Sequence, residues 1–261
     1  VVQSVEDVFF DLLPPVISIE NPPKGSRINI PIVTYSSNEE LGKASITFTR
    51  TSGAQDPQSP HIINLAGDRL KQGTRYDESF ENEIMLKDGS VYSITFVAED
   101  MAGNIAEVLN VDNIAFDSTG PKIVLSDPKP STFVNQLTAN FSLNEKLKIG
   151  KVIVERTGGP NDSSSPHEIN LLDEQLQESS NIPVDITQQV NLASNAVYKI
   201  SVVGIDIAGN EGISNVIDDV TFDDIPPEIS IISPDIDTFI NSPSIGLRSN
   251  ESLNIASVKW V

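Results

Sequence analysis

The strongest constraint on this 261-residue chain is an internal repeat with a period of 106 residues. The segment VFFDLLPPVISI (8–19) returns as IAFDSTGPKIVL (114–125) and again as VTFDDIPPEISI (220–231), so Phe10, Phe116 and Phe222 stand one period apart. The same offset relates Asn29, Asn135 and Asn241, and it relates SNEEL, LNEKL and SNESL, which begin at Ser37, Leu143 and Ser249. It also relates RTSG at Arg50 to RTGG at Arg156, SPHIINL at Ser59 to SPHEINL at Ser165, and YSITFVAEDMAGN at Tyr92 to YKISVVGIDIAGN at Tyr198. No insertion or deletion separates the copies. Fixed self-similarity of this kind is the signature of stacked structural units. The expected organisation is the last strand of a preceding repeat (1–10), two whole repeats (11–116 and 117–222) and the start of a third (223–261). A 40-residue portion of such a unit is not expected to fold alone, so the chain reads as a window onto a longer array.

Composition narrows what these units can do. Against 17 Lys and Arg stand 37 Asp and Glu, a formal net charge of −20. Nucleic acids and anionic membrane surfaces require clustered basic residues to displace counterions, so both are poor partners, and divalent cations are natural ones. With no cysteine, the chain has no disulfide framework, thiolate metal site or thiol nucleophile. A unit of this size can bury a core without such staples. No apolar run approaches the roughly 20 residues of a membrane span. The opening VVQSVEDVFF lacks the basic flank of a signal peptide, so any export signal or anchor is expected outside this segment.

Within a unit, apolar residues alternate with period two in short runs broken by Pro, Gly, Asn and Ser, the pattern of strands and turns. Tyr92, Ile94, Phe96 and Ala98 share one face, and Tyr198, Ile200, Val202 and Gly204 repeat it. Runs near 16–20, 28–35, 43–50, 61–65, 80–85, 91–98 and 105–116 predict seven strands, and only 66–79, with its copy 172–180, suits a short helix or irregular crossing. The expected fold class is all-β: tandem immunoglobulin-like Greek-key sandwiches arranged end to end. The Cys pair and core Trp of antibody domains are missing, so only the architecture is implied.

DxAGN at the end of a strand, followed by Phe116, Asp117 and Pro121 or by Phe222, Asp223, Pro226 and Pro227, resembles the bacterial Ig-like repeats of large cell-surface proteins and adhesins. The resemblance covers essentially the whole chain. It implies an extracellular, cell-surface location and a stalk that projects a distal binding domain, often stiffened by calcium where units meet. Related sandwich repeats also build surface layers.

Following seven strands through a sandwich brings the linker, the loop after the second strand and the loop after the sixth to one pole. In the first unit these carry Asp11, then Asn38 and Glu39, then Asp100 and Asn104. In the second they carry Asp117, then Asn144 and Glu145, then Asp206 and Asn210, and the third copy begins with Asp223, Asn250 and Glu251. Three carboxylates and two amide oxygens are hard ligands suited to Ca²⁺, which takes six to eight oxygens, and less suited to Mg²⁺, which resists dehydration. The alternative is purely structural. In DxAGN the Asp can accept bonds from its own loop's amides, Gly can supply a positive φ, and Asn tolerates a left-handed turn.

Other polar residues carry less. His61 and His167 are equivalent, with no second His beside either, and read as strand-edge packing rather than zinc or triad residues. Trp260 falls at the position of Phe48 and Val154 and reads as core, and Tyr76 is the main loop tyrosine. The polar loops 51–60 and 157–166 lie at the opposite pole. Asn140, Asn161 and Asn250 stand in N-x-S patterns that arise by chance in a chain rich in Asn and Ser. An active site would have to recur in both copies, and the recurrent cluster lacks a nucleophile, a basic residue or a His, so no enzyme is expected. The leading expectation is a rod of units, each strand spanning roughly 26 Å and each unit adding about 40 Å, joined by short Pro-containing linkers. A surface-layer lattice of the same domains is the second reading, with other copies of the chain as partners. A glycan- or peptide-binding module is the third, which neither exposed aromatics nor a basic groove supports.

Overall fold

The computed structural model describes residues 10–259. Alternate side chains of its central strands point into two separate cores, and that alternation builds the fold. The first unit comprises β1 (Ile17–Asn21), β2 (Arg27–Ile28), β3 (Ile32–Ser37), β4 (Leu41–Gly53), β5 (His61–Asn64), β6 (Gly73–Ser79), β7 (Ser90–Asp100) and β8 (Leu109–Phe116). The second repeats the plan as β9 (Ile123–Asp127), β10 (Phe133–Val134), β11 (Thr138–Leu143), β12 (Leu147–Gly158), β13 (His167–Asn170), β14 (Ser179–Asp185), β15 (Ala196–Asp206), β16 (Glu211–Ile213) and β17 (Ile217–Phe222). β18 (Ile229–Ser233) and β19 (Gly246–Ser249) form an antiparallel pair.

Each unit is two sheets face to face. A three-stranded sheet, in the order β1-β3-β6 or β14-β11-β9, packs on a larger one, in the order β2-β8-β7-β4-β5 or β10-β17-β15-β12-β13, with β16 added beside β15. This is the all-β, immunoglobulin-like sandwich that the periodicity predicts. Along β7, Ser90, Tyr92, Ile94, Phe96, Ala98 and Asp100 are buried in strict alternation; Ala196, Tyr198, Ile200, Val202, Gly204 and Asp206 do the same along β15. The first core holds Val33, Tyr35, Ile46, Phe48, Phe80, Tyr92, Ile94 and Phe96, and the second holds Leu137, Phe141, Val152, Val154, Tyr198, Ile200 and Val202. No residue belongs to both.

Three local expectations are corrected. The run 28–35 is not one strand: β2 pairs with β8 in the larger sheet, and β3 pairs with β1 and β6 in the smaller. Apolar alternation continues through this crossing between sheets, so periodicity cannot register it. The run 80–85 is a turn, and the strand precedes it as β6, GTRYDES, whose polar sequence hides it. Phe80 is fully buried but plugs the end of the core instead of extending a sheet. The crossing expected at 66–79 resolves into a 3₁₀ turn, Gly67–Leu70, and β6, which also contains Tyr76. Residues 1–9, given above to a preceding strand, and Trp260 lie outside the described residues; Phe10 is exposed and in no strand.

In β18–β19, Ile229 and Ile231 are 52% and 65% exposed, whereas Ile17, Ile123 and Leu125 at matching positions are buried against a second sheet. The second sheet is therefore what makes these strands a core. Phe48 sits edge-on to Tyr92 with ring centroids 6.5 Å apart and is fully buried. Phe48→Ala is expected to destabilise the first unit by about 3–5 kcal/mol. Because the cores share no residue, calorimetry should show one transition moved down and the other unchanged.

Candidate metal centre

The entry pole of each unit gathers the residues singled out by spacing. Oxygens of Asp11, Glu39 and Asp100 lie within 4.8 Å of one another, and so do those of Asp117, Glu145 and Asp206. Each trio draws one carboxylate from the linker, one from the turn between β3 and β4 (or β11 and β12), and one from the end of β7 (or β15). Asp223 and Glu251 have no third carboxylate grouped with them among the described residues.

The buried members are Asp100, 3% exposed, and Asp206, 1% exposed. Asp100 Oδ1 accepts the backbone amides of Ala102 and Asn104, both at 2.8 Å, and Oδ2 accepts the Asn104 side-chain amide at 2.7 Å. Asp206 is held alike by Gly209 and Asn210. Gly103 (φ +93°) and Gly209 (φ +105°) supply the left-handed turn that aims these amides inward. Burial opposes the charge on Asp100, but the bonds from the Asn104 side chain and from the amides of Asn104, Ala102 and Gly103 outweigh it and hold the carboxyl below its ordinary value. The hairpin role expected for DxAGN is therefore real, and it leaves Glu39 and the linker Asp beside a fixed negative charge.

Asn104 Nδ2 also donates to the main-chain oxygen of Asp11 at 3.1 Å, and Asn210 Nδ2 donates to that of Asp117 at 2.8 Å. These amides tie the linker to the hairpin. Asn38 and Asn144 are not free ligands: their Oδ1 atoms accept the amides of Val16 and Lys122, each at 2.7 Å, and Asn250 accepts that of Glu228. They pin the start of the first strand to the following turn.

Glu39 and Glu145 have their carboxyls pushed up, first by burial and then by the neighbouring acids, Asp11 and Asp100 or Asp117 and Asp206. At Glu145 the rise is partly offset by Arg27 and by Asn144. Arg27 comes from the preceding unit, its Nη1 3.6 Å from Asp117 Oδ2, a half-exposed pair worth at most about 1 kcal/mol. On the same border, a Cβ on Gly209 would come within 3.4 Å of Asn29, and Asp88 accepts the amide and hydroxyl of Ser118 and the hydroxyl of Thr119. Arg27 and Asp88 escape sequence reasoning because neither recurs: Phe133 and Ser194 stand at their repeat positions.

A second recurrent network, at the opposite pole, was also missed. Asp56 Oδ2 bridges His61 Nε2 and the Tyr92 hydroxyl, each at 2.6 Å, and the same hydroxyl accepts the Lys87 amide at 2.8 Å. Asp162, His167, Tyr198 and Ala193 repeat it. The shared pattern Asp-x-x-Ser-Pro-His (56–61 and 162–167), read together with the Tyr opening strand β7 or β15, is the signal that could have found it. Each histidine packs at a strand start as expected, but it is also bonded to a buried acid. The network pins the polar loop to the strand behind it and forms a tyrosine corner.

No family model matches the chain, and no curated protein matches it. Among solved structures, the chain is similar to the FN1–FN3 domains of chicken CNTN1, with 14% identity over 80% of this chain and 66% of that one and a TM-score of 0.40. It is similar to the fibronectin(III)-like modules of Clostridium thermocellum CbhA, with 14% identity over 79% and 94% and a TM-score of 0.34. A third likeness, to the purple acid phosphatase PPD1 of yellow lupin seeds, has 10% identity over 77% and 40% and a TM-score of 0.24.

Burial first, then the bond to Asp56 or Asp162, pushes Tyr92 and Tyr198 up to about 12. A raised folded value means the contribution is complete below the ordinary 10.0 and disappears as pH climbs toward about 12. For Asp56 and Asp162, burial opposes the charge, but bonds from Tyr and His hold both carboxyls below the ordinary 3.8. Their contribution is complete above that value and is lost as pH falls through the folded one. Denaturant midpoints measured across pH should fall at both ends, and Tyr92→Phe should shrink the alkaline limb of the first unit, where Tyr35, also pushed up to about 12 by burial, still contributes, and leave that of the second unit unchanged.

Proposed function

We propose that this chain is a non-enzymatic structural segment of a cell-surface protein, a stiff rod of Ig-like units whose junctions bind a divalent cation, Ca²⁺ by preference. The observation that carries the reading is the recurrence of one acidic trio at the entry pole of two successive units, one period apart. Each trio joins the linker to two loops of the unit it enters, so an ion shared by the three carboxylates would fix the linker's direction. The ligands are Asp11, Glu39 and Asp100, then Asp117, Glu145 and Asp206, with backbone carbonyls and water to complete the shell. The raised Glu39 and Glu145 carboxyls are what clustered acids show before a cation relieves them. Asp223 and Glu251 would begin a third site.

The absence of catalysis is also part of the proposal. The His61–Asp56 pair is buried and faces Tyr92, whose hydroxyl is pushed up rather than activated. No helix among the described residues is long and apolar enough to cross a membrane. The short linkers support stiffness, since Asp11 and Asp117 bond the amides two residues ahead at Leu13 and Thr119.

A lattice subunit is the second reading. It draws on an open apolar groove on the outer face of the second unit, where Ile149 and Ile213 are 57% and 69% exposed beside Val203. Analytical ultracentrifugation with Ca²⁺ separates the two: a rod stays monomeric, whereas a lattice subunit assembles.

A cation that binds only the folded state stabilises it by about 2.7 kcal/mol when present at about a hundred times its Kd. Millimolar Ca²⁺ should therefore raise Tm above the value in excess EDTA and make small-angle scattering report a longer, less flexible particle. Identical curves would sink the cation reading. Glu145→Gln gives a sharper sign. Without the ion it should raise the second unit's Tm by easing repulsion, and with the ion it should reduce the gain from Ca²⁺.

A further inference from the structure

In each unit the second strand and the last lie side by side and run in the same direction, and the second is reached through a first strand, β1 or β9, that pairs in the other sheet. β2 pairs in parallel with β8, Arg27 beside Ala115 and Ile28 beside Phe116; β10 pairs in parallel with β17, Phe133 beside Thr221 and Val134 beside Phe222. Main-chain bonds stitch these neighbours together. In the first unit they run from Gly25 N–H to the Asp112 oxygen (3.1 Å), from Ala115 N–H to Ser26 (3.0 Å) and from Asp117 N–H to Ile28 (3.0 Å). In the second they run from Ser131 to Asp218 (3.4 Å), from Thr221 to Thr132 (2.8 Å) and from Asp223 to Val134 (2.9 Å), each one period from its counterpart.

This geometry determines how a pull on the two ends is resisted. Parallel neighbours pulled from opposite ends slide past each other along their axis, and their bonds, which cross the gap between strands, are all loaded at once. A hairpin pulled from its two open ends instead loses its bonds singly. The pulling point is also fixed: beyond β8, Asp88 holds Ser118 and Thr119, and beyond β17, Ser194 bonds Asp223 and the amide of Asp224. Force arriving through the linker is therefore delivered along β8 or β17 without first peeling it away.

We infer that each unit is a tension clamp, in which the β2–β8 and β10–β17 pairs, loaded in shear, set the force at which the unit opens. This goes beyond the rod reading, since a spacer needs length and stiffness but no resistance to pulling, and it is independent of any bound cation.

The test is single-molecule stretching of the full chain in EDTA, so that failure of the cation reading leaves the outcome untouched. End-to-end handles load the clamps in shear. The chain has no cysteine of its own, so Leu12→Cys with Met101→Cys provides attachment points at exposed positions of one pole, across which the first unit is pulled with β8 outside the loaded segment. The expected result is a several-fold higher opening force end to end than across the pole. Ala115→Pro, which removes the donor to Ser26, should bring one end-to-end force peak down towards the cross-pole force while leaving the cross-pole force itself unchanged. Equal forces in the two directions for the unaltered fold would overturn the inference, and so would a proline effect of the same size in both directions. The directional comparison stands even if the proline variant does not fold.

Discussion

A strand period of two forces an aspartate inward. The register that buries Tyr92, Ile94, Phe96 and Ala98 along β7 also turns Asp100 toward the interior, and β15 does the same to Asp206. A buried carboxylate without partners would either lose its charge or unfold the pole. The hairpin that follows is shaped by this demand: glycine at positive φ turns backbone amides onto Oδ1, and an asparagine closes on Oδ2. Because the same asparagine also reaches the linker carbonyl of Asp11 or Asp117, satisfying one buried charge locates the chain that enters the unit. At the other end of β7 the register points Tyr92 at Asp56, so a single strand organises polar networks at both poles.

Much of this was legible in the sequence, and the reason is the repeat. Two copies without a gap make every recurrent residue stand out, and the trios Asp11–Glu39–Asp100 and Asp117–Glu145–Asp206 were found because strand polarity carries distant residues to one pole whatever the side-chain details. What remained hidden has physical causes. β6 is a polar edge strand of a three-stranded sheet, with no apolar alternation to reveal it, while Phe80 and its neighbours supplied a misleading apolar run in a turn. The split between β2 and β3 is a change of partner sheet, which leaves the alternation intact. Asn38 and Asn144 looked like ligands by composition, yet a backbone amide had first claim on each oxygen.

The junctions are similar without being equivalent. Between the first two units, Arg27 lies near Asp117 and Asp88 grips Ser118 and Thr119. At the next junction Phe133 replaces Arg27 and is 79% exposed, and Ser194 replaces Asp88 and bonds Asp223. One border is ionic and the other has an apolar rim, although the linker aspartate and turn glutamate recur, as Asp117 and Glu145 and as Asp223 and Glu251. The repeat therefore preserves the interior of each pole more faithfully than the surface presented to it by the neighbouring unit.

Neighbouring copies with interchangeable strands face a folding hazard, since a strand from one unit can pair in the other and yield a misassembled hybrid. The two cores differ where such an exchange would bring them together. In the first unit Tyr35 and Phe96 pack with ring centroids 5.1 Å apart and planes tilted by 52°, and Phe48 packs edge-on to Tyr92; the second places Phe141, Val202 and Val154 at the positions of Tyr35, Phe96 and Phe48. A hybrid core would set a ring against a valine where a ring is required, or two rings where one fits. Cavities of that kind cost about 2–5 kcal/mol and overpacking about 1–3 kcal/mol. Register is shared between the copies, but core volumes are not, and a strand exchanged between units would carry that penalty.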